Sequence, residues 1–171
     1  MMATIRKIKS GYLARQNGEL FEQAIMNQAR HQRWHVVKIP MGARMIGGFK
    51  MVRVQTPFDF IMYKNGKCIS LDAKSTKGLR FNASSLTPHQ IQNLSQIEDQ
   101  GFPAGYLVNF SELNVVIFYS AKQLMNMTKR SSLLPIQGVE IGSTMRMDFM
   151  KIISYYQSLD EQGMSEEKNS L

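Results

Sequence analysis

The sequence predicts an α/β fold in which one β-sheet carries helices against it, and three observations lead there. Asn65-Gly66 sits between two runs rich in β-branched and aromatic residues, the strongest short-range signal for a β-hairpin. Apolar residues recur at helical spacing before it, over residues 17–33, and again after it, over residues 87–100. Two more apolar, β-rich runs, 104–110 and 114–119, then supply further strands. With 171 residues and 43% hydrophobic content, the chain is long enough to bury one core. A single domain over 17–159 is expected, between a flexible arm (1–16) and a disordered tail (160–171).

In order along the chain, residues 1–16 carry Arg6, Lys7, Lys9 and Arg15 with little apolar periodicity and read as a basic arm. Asn17 is a plausible N-cap, and Leu20, Phe21, Ala24 and Ile25 form the stripe of a helix reaching Arg33. Glu22 lies at the edge of that stripe, as a surface acid or as a group aimed at the sheet. Trp34 to Ile39 reads as the first strand, with His35 and Lys38 at its polar positions. Residues 40–55 set Arg44, Lys50 and Arg53 among Met41, Met45, Ile46, Phe49 and Met51, with Gly42 and Gly47-Gly48 as hinges. Two readings stand for them: a flexible, basic, partly apolar projection suited to insertion between unpaired DNA strands, or a hairpin of the core.

After the 56–74 hairpin, residues 75–86 form a polar loop in which Lys77 and Arg80 can grip phosphates. Thr87-Pro88 opens a helix, threonine as N-cap and proline at the first position, and places His89 and Gln90 in the first turn. A helix N-terminus favours anions, so both suit a place near phosphate. Residues 104–110 and 114–119 complete the sheet, and helices follow at 121–127 and 149–159.

The chemistry concentrates in the hairpin. A two-residue loop fixes the register, opposing Lys64 to Lys67, Met62 to Ile69, Phe60 to Leu71 and Asp59 to Asp72. Alternation then gives one face to Phe58, Phe60, Met62, Ile69, Leu71 and Ala73, and the other to Asp59, Asp72 and Lys74. Opposed Cβ atoms lie about 4.5–5.5 Å apart, and like charges so placed destabilise a sheet. A hard divalent cation between the two carboxylates compensates, with Mg²⁺ the natural candidate and Mn²⁺ its substitute. Lys74, on the same face, can meet a phosphate or polarise a water. The plain alternative is a solvated hairpin whose charges face water.

Charge distribution points to the partner. Residues 1–80 hold 15 Lys/Arg against 4 Asp/Glu, net +11, and residues 81–171 hold 6 against 9, net −3. Three of the four acids in the basic half are Glu22, Asp59 and Asp72, so the surface left there is strongly positive and suits a phosphate backbone. The sequence has no run of about 18 apolar residues that a membrane span needs, and no apolar leader segment, so a cytoplasmic, nucleoid-associated protein with no membrane partner is expected. The single Cys68 excludes an intrachain disulfide and a thiolate zinc cluster, and reads as packing.

An acid on one strand followed by Asp72-Ala73-Lys74 resembles the PD-(D/E)XK nuclease core. The longer run is more specific: Asp59, Gly66, Asp72-Ala73-Lys74-Ser75-Thr76-Lys77 and His89-Gln90 resemble the RecU-type Holliday junction resolvases over about residues 17–125. The resemblance implies a central mixed β-sheet flanked by helices, with 40–55 as a stalk entering the junction. It implies metal ligation by Gln90 together with Asp59 and Asp72. It also brings a first-helix glutamate to the site, and the spacing of Gly18, Glu22 and Ile25 favours Glu22 over Glu19. Two departures stand out: Asp72 replaces the family's usual glutamate, and Pro57 replaces a threonine two residues before the first acid. Neither removes a charge.

The expected function is a Mg²⁺-dependent endonuclease resolving four-way DNA junctions in recombination and repair, as a homodimer. Asp59, Asp72, Lys74 and Glu22 form the catalytic set, and Asp59, Asp72, Gln90 and Glu22 the metal set. Arg6, Lys7, Lys9, Arg15, Lys38, Arg44, Lys50, Arg53, Lys77, Arg80 and His89 are the expected DNA contacts. The rivals are a nuclease of the same superfamily acting on duplex ends or RNA, and a non-catalytic DNA-binding protein.

Overall fold

The elements of this computed structural model are, in chain order, α1 (Met2–His31), β1 (His35–Lys38), β2 (Ala43–Ile46), β3 (Lys50–Arg53), β4 (Phe60–Lys64), β5 (Lys67–Thr76) and β6 (Phe81–Asn82), then α2 (Pro88–Asp99), β7 (Ala104–Phe110), β8 (Val115–Ser120), α3 (Ala121–Met125), β9 (Ser132–Leu133), β10 (Val139–Ser143), β11 (Arg146–Met147) and α4 (Met150–Asn169). The structure describes residues 2–40, 42–46, 50–53, 56–125, 127 and 131–169.

Sheet assembly starts at the Asn65-Gly66 turn, where both residues have positive φ, 49° and 76°, as a two-residue turn of this kind requires. The turn sets β4 against β5 in the expected register, Phe60 with Leu71 and Lys64 with Lys67. The main sheet has seven strands in the order β1-β4-β5-β7-β8-β10-β11. Its one parallel pairing is β5 with β7, which sets Asp72 beside Tyr106 and Lys74 beside Val108. A parallel pair needs a long crossover, and here α2 is part of it.

Each sheet face has its own core. One is built from Phe21, Ile25 and Ala29 of α1 and Ile152 and Ile153 of α4 against Phe60, Met62, Ile69, Leu71 and Phe118. The other sets Leu94 of α2 and Leu124 of α3 against Tyr106, Val108, Ile117 and Tyr119. Phe58 belongs to this second core rather than to the face of Phe60. The reason lies at Asp59, whose backbone N–H donates to Leu71 O at 3.1 Å although Leu71 already pairs with Phe60. Two residues thus oppose one, and the local bulge breaks the alternation.

Three expected boundaries differ. Residues 2–16, read as an arm, are the first half of α1, which runs unbroken through Asn17. Residues 160–169, read as tail, continue α4. Residues 43–46 and 50–53 pair as a separate two-stranded sheet, Ala43 with Arg53 and Ile46 with Lys50, so this ribbon is not part of the seven-stranded sheet. Met41, Gly47, Gly48 and Phe49 lie outside the described residues. None of the described helices is long and apolar enough to cross a membrane.

Glu98, near the end of α2 and only 8% exposed, ties the second face together. It accepts the Lys122 N–H at 2.8 Å and the Tyr156 hydroxyl at 2.9 Å, and the Tyr156 oxygen in turn accepts the Ala104 N–H at 3.4 Å. Helices α2, α3 and α4 are thereby held at one end of β7.

Close approach of β7 to β8 requires a missing side chain at Gly105, where a Cβ would lie 2.1 Å from Tyr119 O. Backbone cannot yield as a flexible side chain can. Gly105→Ala is therefore expected to cost about 1–3 kcal/mol, as overpacked cores do. Urea unfolding is the check, and an unchanged midpoint would show that the strands can separate at no cost.

Candidate active site

Strand β5 enters the second core with Asp72, fully buried, as its ionisable centre. Its neighbours on that face are Lys74, two residues on, and Tyr106, alongside in β7. Lys74 Nζ donates to Asp72 Oδ2 in a short ion pair and lies 3.4 Å from Gln90 Oε1. Gln90 comes from the first turn of α2, which Thr87 and Pro88 start as the sequence leads one to expect. Asp72 Oδ1 is buried and has no hydrogen-bond partner among the described residues.

Asp59 reaches the same place from the residue just before β4. Because of the bulge it is not a ladder partner of Asp72, as strict register would have it. Its Oδ2 instead accepts the N–H of Ala73 at 2.8 Å, which locks one carboxylate oxygen against β5. Two carboxylates thus converge where only one lysine answers them. The consequence shows in Asp72, whose carboxyl is pushed up to about 7, by burial first and by Asp59 in addition, with Lys74 opposing.

Glu22 sits apart from this cluster. Its carboxylate forms an ion pair at 2.5 Å with Lys38 of β1, which lies across from Phe60 in the sheet. Glu22 is thereby tied to β1 and committed to a cation. Arg15 is paired at 3.0 Å with Glu19 along α1. Lys77 and Arg80 are exposed in the turn after β5, and Arg80 Nη1 donates to Ser132 Oγ at 3.3 Å. His89 is exposed beside Gln90 and contacts Asn93. Arg44, Lys50 and Arg53 occupy the β2–β3 ribbon, and Arg6, Lys7 and Lys9 the first turns of α1.

Sequence reasoning missed Tyr106, which reads as one more apolar residue of a core strand. Its ring lies beneath the lysine, with Nζ 5.7 Å from the ring centroid. The signal that would have found it is the parallel register of β5 with β7, and no local pattern carries that. Among the described residues, no three His, Cys, Asp or Glu side chains group as a metal site.

Comparison with known proteins settles the family. The model of the family described as Recombination protein U, RecU, matches residues 19–161. The chain belongs to the RecU family. No curated protein sequence matches it. Among solved structures, the Holliday junction resolvase Hjc of Archaeoglobus fulgidus is similar with a TM-score of 0.53 at 16% identity, over 72% of this chain and 96% of that one. A bacterial homing endonuclease, I-Ssp6803I, aligns with a TM-score of 0.40 at 15% identity, over 89% and 94% of the two chains. The likeness to Hjc shows that this RecU-family chain has a nuclease-like fold, a mixed sheet with flanking helices.

The raised Asp72 pKa has a consequence in the metal-free protein. A carboxyl with an ordinary value of 3.8 and a folded value of about 7 binds its proton more tightly when folded. That stabilisation is complete below the unfolded value and is lost as pH rises through the folded one. Stability is thus expected to fall between about pH 4 and pH 7, and Asp72→Asn should remove much of this fall. Urea unfolding across the range, with chelator present, is the measurement. Parallel pH profiles for the two proteins would exclude Asp72 as the source.

Proposed function

We propose that this chain is a metal-dependent endodeoxyribonuclease that cleaves four-way DNA junctions in recombination and repair. The observation that carries the reading is the buried, unpartnered Asp72 Oδ1 beside Asp59, Lys74 and the N-terminus of α2. RecU membership and the fold it shares with an archaeal junction resolvase support the substrate class. A buried acid with an orphaned oxygen and a neighbouring carboxylate fits a hard divalent cation, which takes oxygen ligands. Asp59, Asp72 and the Gln90 amide oxygen would hold it, Mg²⁺ first and Mn²⁺ as substitute. Glu22 would join only by leaving Lys38, so its place in the site is the second step of the proposal.

Bound there, the cation supplies Lewis-acid charge neutralisation at the scissile phosphate and eases deprotonation of the attacking water. The chain's own groups do the rest. Lys74, with three donors on a flexible stem, can turn its ammonium from Asp72 to a non-bridging phosphate oxygen and stabilise the charge that builds there. The N-terminal turn of α2, with His89 and Gln90, presents the positive end of the helix dipole to the same backbone. Lys77 and Arg80 stand exposed beyond the end of β5 to grip flanking phosphates.

Asp72→Asn is expected to keep junction binding while losing cleavage by at least about a hundredfold, since it removes charge-holding chemistry and leaves the basic surface. Mg²⁺ or Mn²⁺ should raise the melting temperature of the natural protein and not that of the variant. Equal shifts in both, or an active variant, would refute the site.

A junction has two symmetry-related strands to cut and one chain offers one site, so a twofold homodimer is the working form. The β2–β3 ribbon is the element proposed to enter the junction, with Arg44, Lys50 and Arg53 meeting converging phosphates. A native mass of twice the 19.5 kDa chain is expected. Removing residues 43–51 should abolish the preference for junctions over linear duplex while cleavage of duplex persists. A shortened protein that still prefers junctions would remove the ribbon from recognition, and preference for duplex ends or structured RNA in the natural protein would redirect the substrate assignment.

A further inference from the structure

Lysine is a poor tool for positioned catalysis unless something fixes its long stem, because four rotatable bonds must be restrained to aim one ammonium. In this site the ammonium has two hydrogen-bond partners, Asp72 Oδ2 and Gln90 Oε1. Asp72 is also the residue from which the lysine must turn away when phosphate arrives, and the Gln90 oxygen is assigned to the cation in the nuclease reading, so neither contact can keep the ammonium in place during the reaction. A third surface is in contact with it. Tyr106 is fully buried in β7 and stands beside Asp72 in the parallel register, so its ring lies on the face that Lys74 crosses. Lys74 Nζ is 5.7 Å from the ring centroid, within cation–π range, and the lysine side chain is only 22% exposed.

We propose that Tyr106 is a positioning residue for Lys74, its buried ring forming the platform that holds the lysine ammonium in the site. The contact is made by the ring: the hydroxyl is buried and has no hydrogen-bond partner among the described residues. Burial and the carboxylates of Asp72 and Asp59 also push the phenol well above its ordinary range. The tyrosine therefore stays neutral and does not compete with Asp72 as a counter-ion. It guides the ammonium without neutralising it, which leaves the full positive charge for the phosphate.

A test free of metal and DNA reads the contact itself. With lysine labelled at Cε and the Lys74 signal assigned by its loss in Lys74→Met, the ε-methylene protons are expected upfield of other lysines through the ring current. The shift should persist in Tyr106→Phe and vanish in Tyr106→Met. The functional arm rests on the nuclease reading. In single-turnover cleavage of a four-way junction, Tyr106→Met should lower the rate about tenfold or more, with junction affinity changed by less than about twofold, as misplacement of a catalytic group does. Tyr106→Phe should stay within about threefold of the natural protein. In a Lys74→Met background, Tyr106→Met should cost nothing further, because its effect acts through the lysine.

An ordinary Lys74 chemical shift in the natural protein, or a shift that survives Tyr106→Met, overturns the platform. Additive losses in the double variant assign Tyr106 to core packing instead. Should the natural protein cleave no junction, the nuclease reading fails while the resonance test still decides the contact. Should Tyr106→Met not fold, the natural protein and Tyr106→Phe still decide it, since both must show the shift.

Discussion

The structure is organised around a charge held where charges are expensive. Asp72 lies in β5, an interior strand of the seven-stranded sheet, fully buried, and its neighbours are arranged around that fact. Lys74 answers one carboxylate oxygen, and the other is left without a partner among the described residues. An isolated carboxylate in such a place would protonate or unfold the strand around it. Asp59 makes the situation harder by bringing a second acid, and it does so through a bulge that turns its side chain onto the Ala73 amide. A sheet built only for stability would hold an apolar residue at Asp72, as it does at the flanking Leu71 and Ala73.

Around that centre the fold separates rigid from adaptable parts. Ladder pairing with β7 fixes Asp72 and Lys74 on β5, and Asp59, just before β4, is fixed by its bond from the Ala73 N–H. Helix α2 carries Gln90 to the same place at its first turn, while its far end is held by Glu98 through α3 and α4. The buried Glu98 is stabilising because its hydrogen bonds meet both oxygens, in contrast to Asp72. The β2–β3 ribbon pairs only within its own small sheet, so its chemistry is separable from that of the main sheet. The ion pair of Glu22 with Lys38 joins α1 to β1, the edge strand of the main sheet.

RecU membership and the fold likeness to Hjc place this arrangement among nuclease-like folds. The two departures in the motif are understandable in that setting. Aspartate at position 72 is one methylene shorter than glutamate, and the bulge at Asp59 moves the opposing carboxylate toward β5. Pro57 precedes the ladder rather than lying in it, so its missing N–H interrupts no strand pairing.

Local structure was legible in the residues themselves. Asn65-Gly66 specified a turn with positive φ at both positions, and the turn specified the β4–β5 register down to Phe60 with Leu71. Alternation placed Leu71 and Asp72 on opposite faces, and Thr87-Pro88 started α2 where Gln90 needs it. Tertiary structure decided the rest. Phe58 changed face because the Asp59 N–H shares the Leu71 carbonyl and sets two residues against one, which period-two patterning cannot encode. Helix α1 extended back to Met2 although its first turns lack an apolar stripe, and β10 and β11 extended the sheet from a stretch without a readable period. Tyr106 looked like core because it is core. Only the parallel pairing of β5 with β7, across a crossover of nearly thirty residues, set its ring under Lys74. Turn chemistry and side-chain period act over a few residues and are written in the sequence. Which distant strand becomes the neighbour of Asp72 is settled by the burial of two whole sheet faces at once.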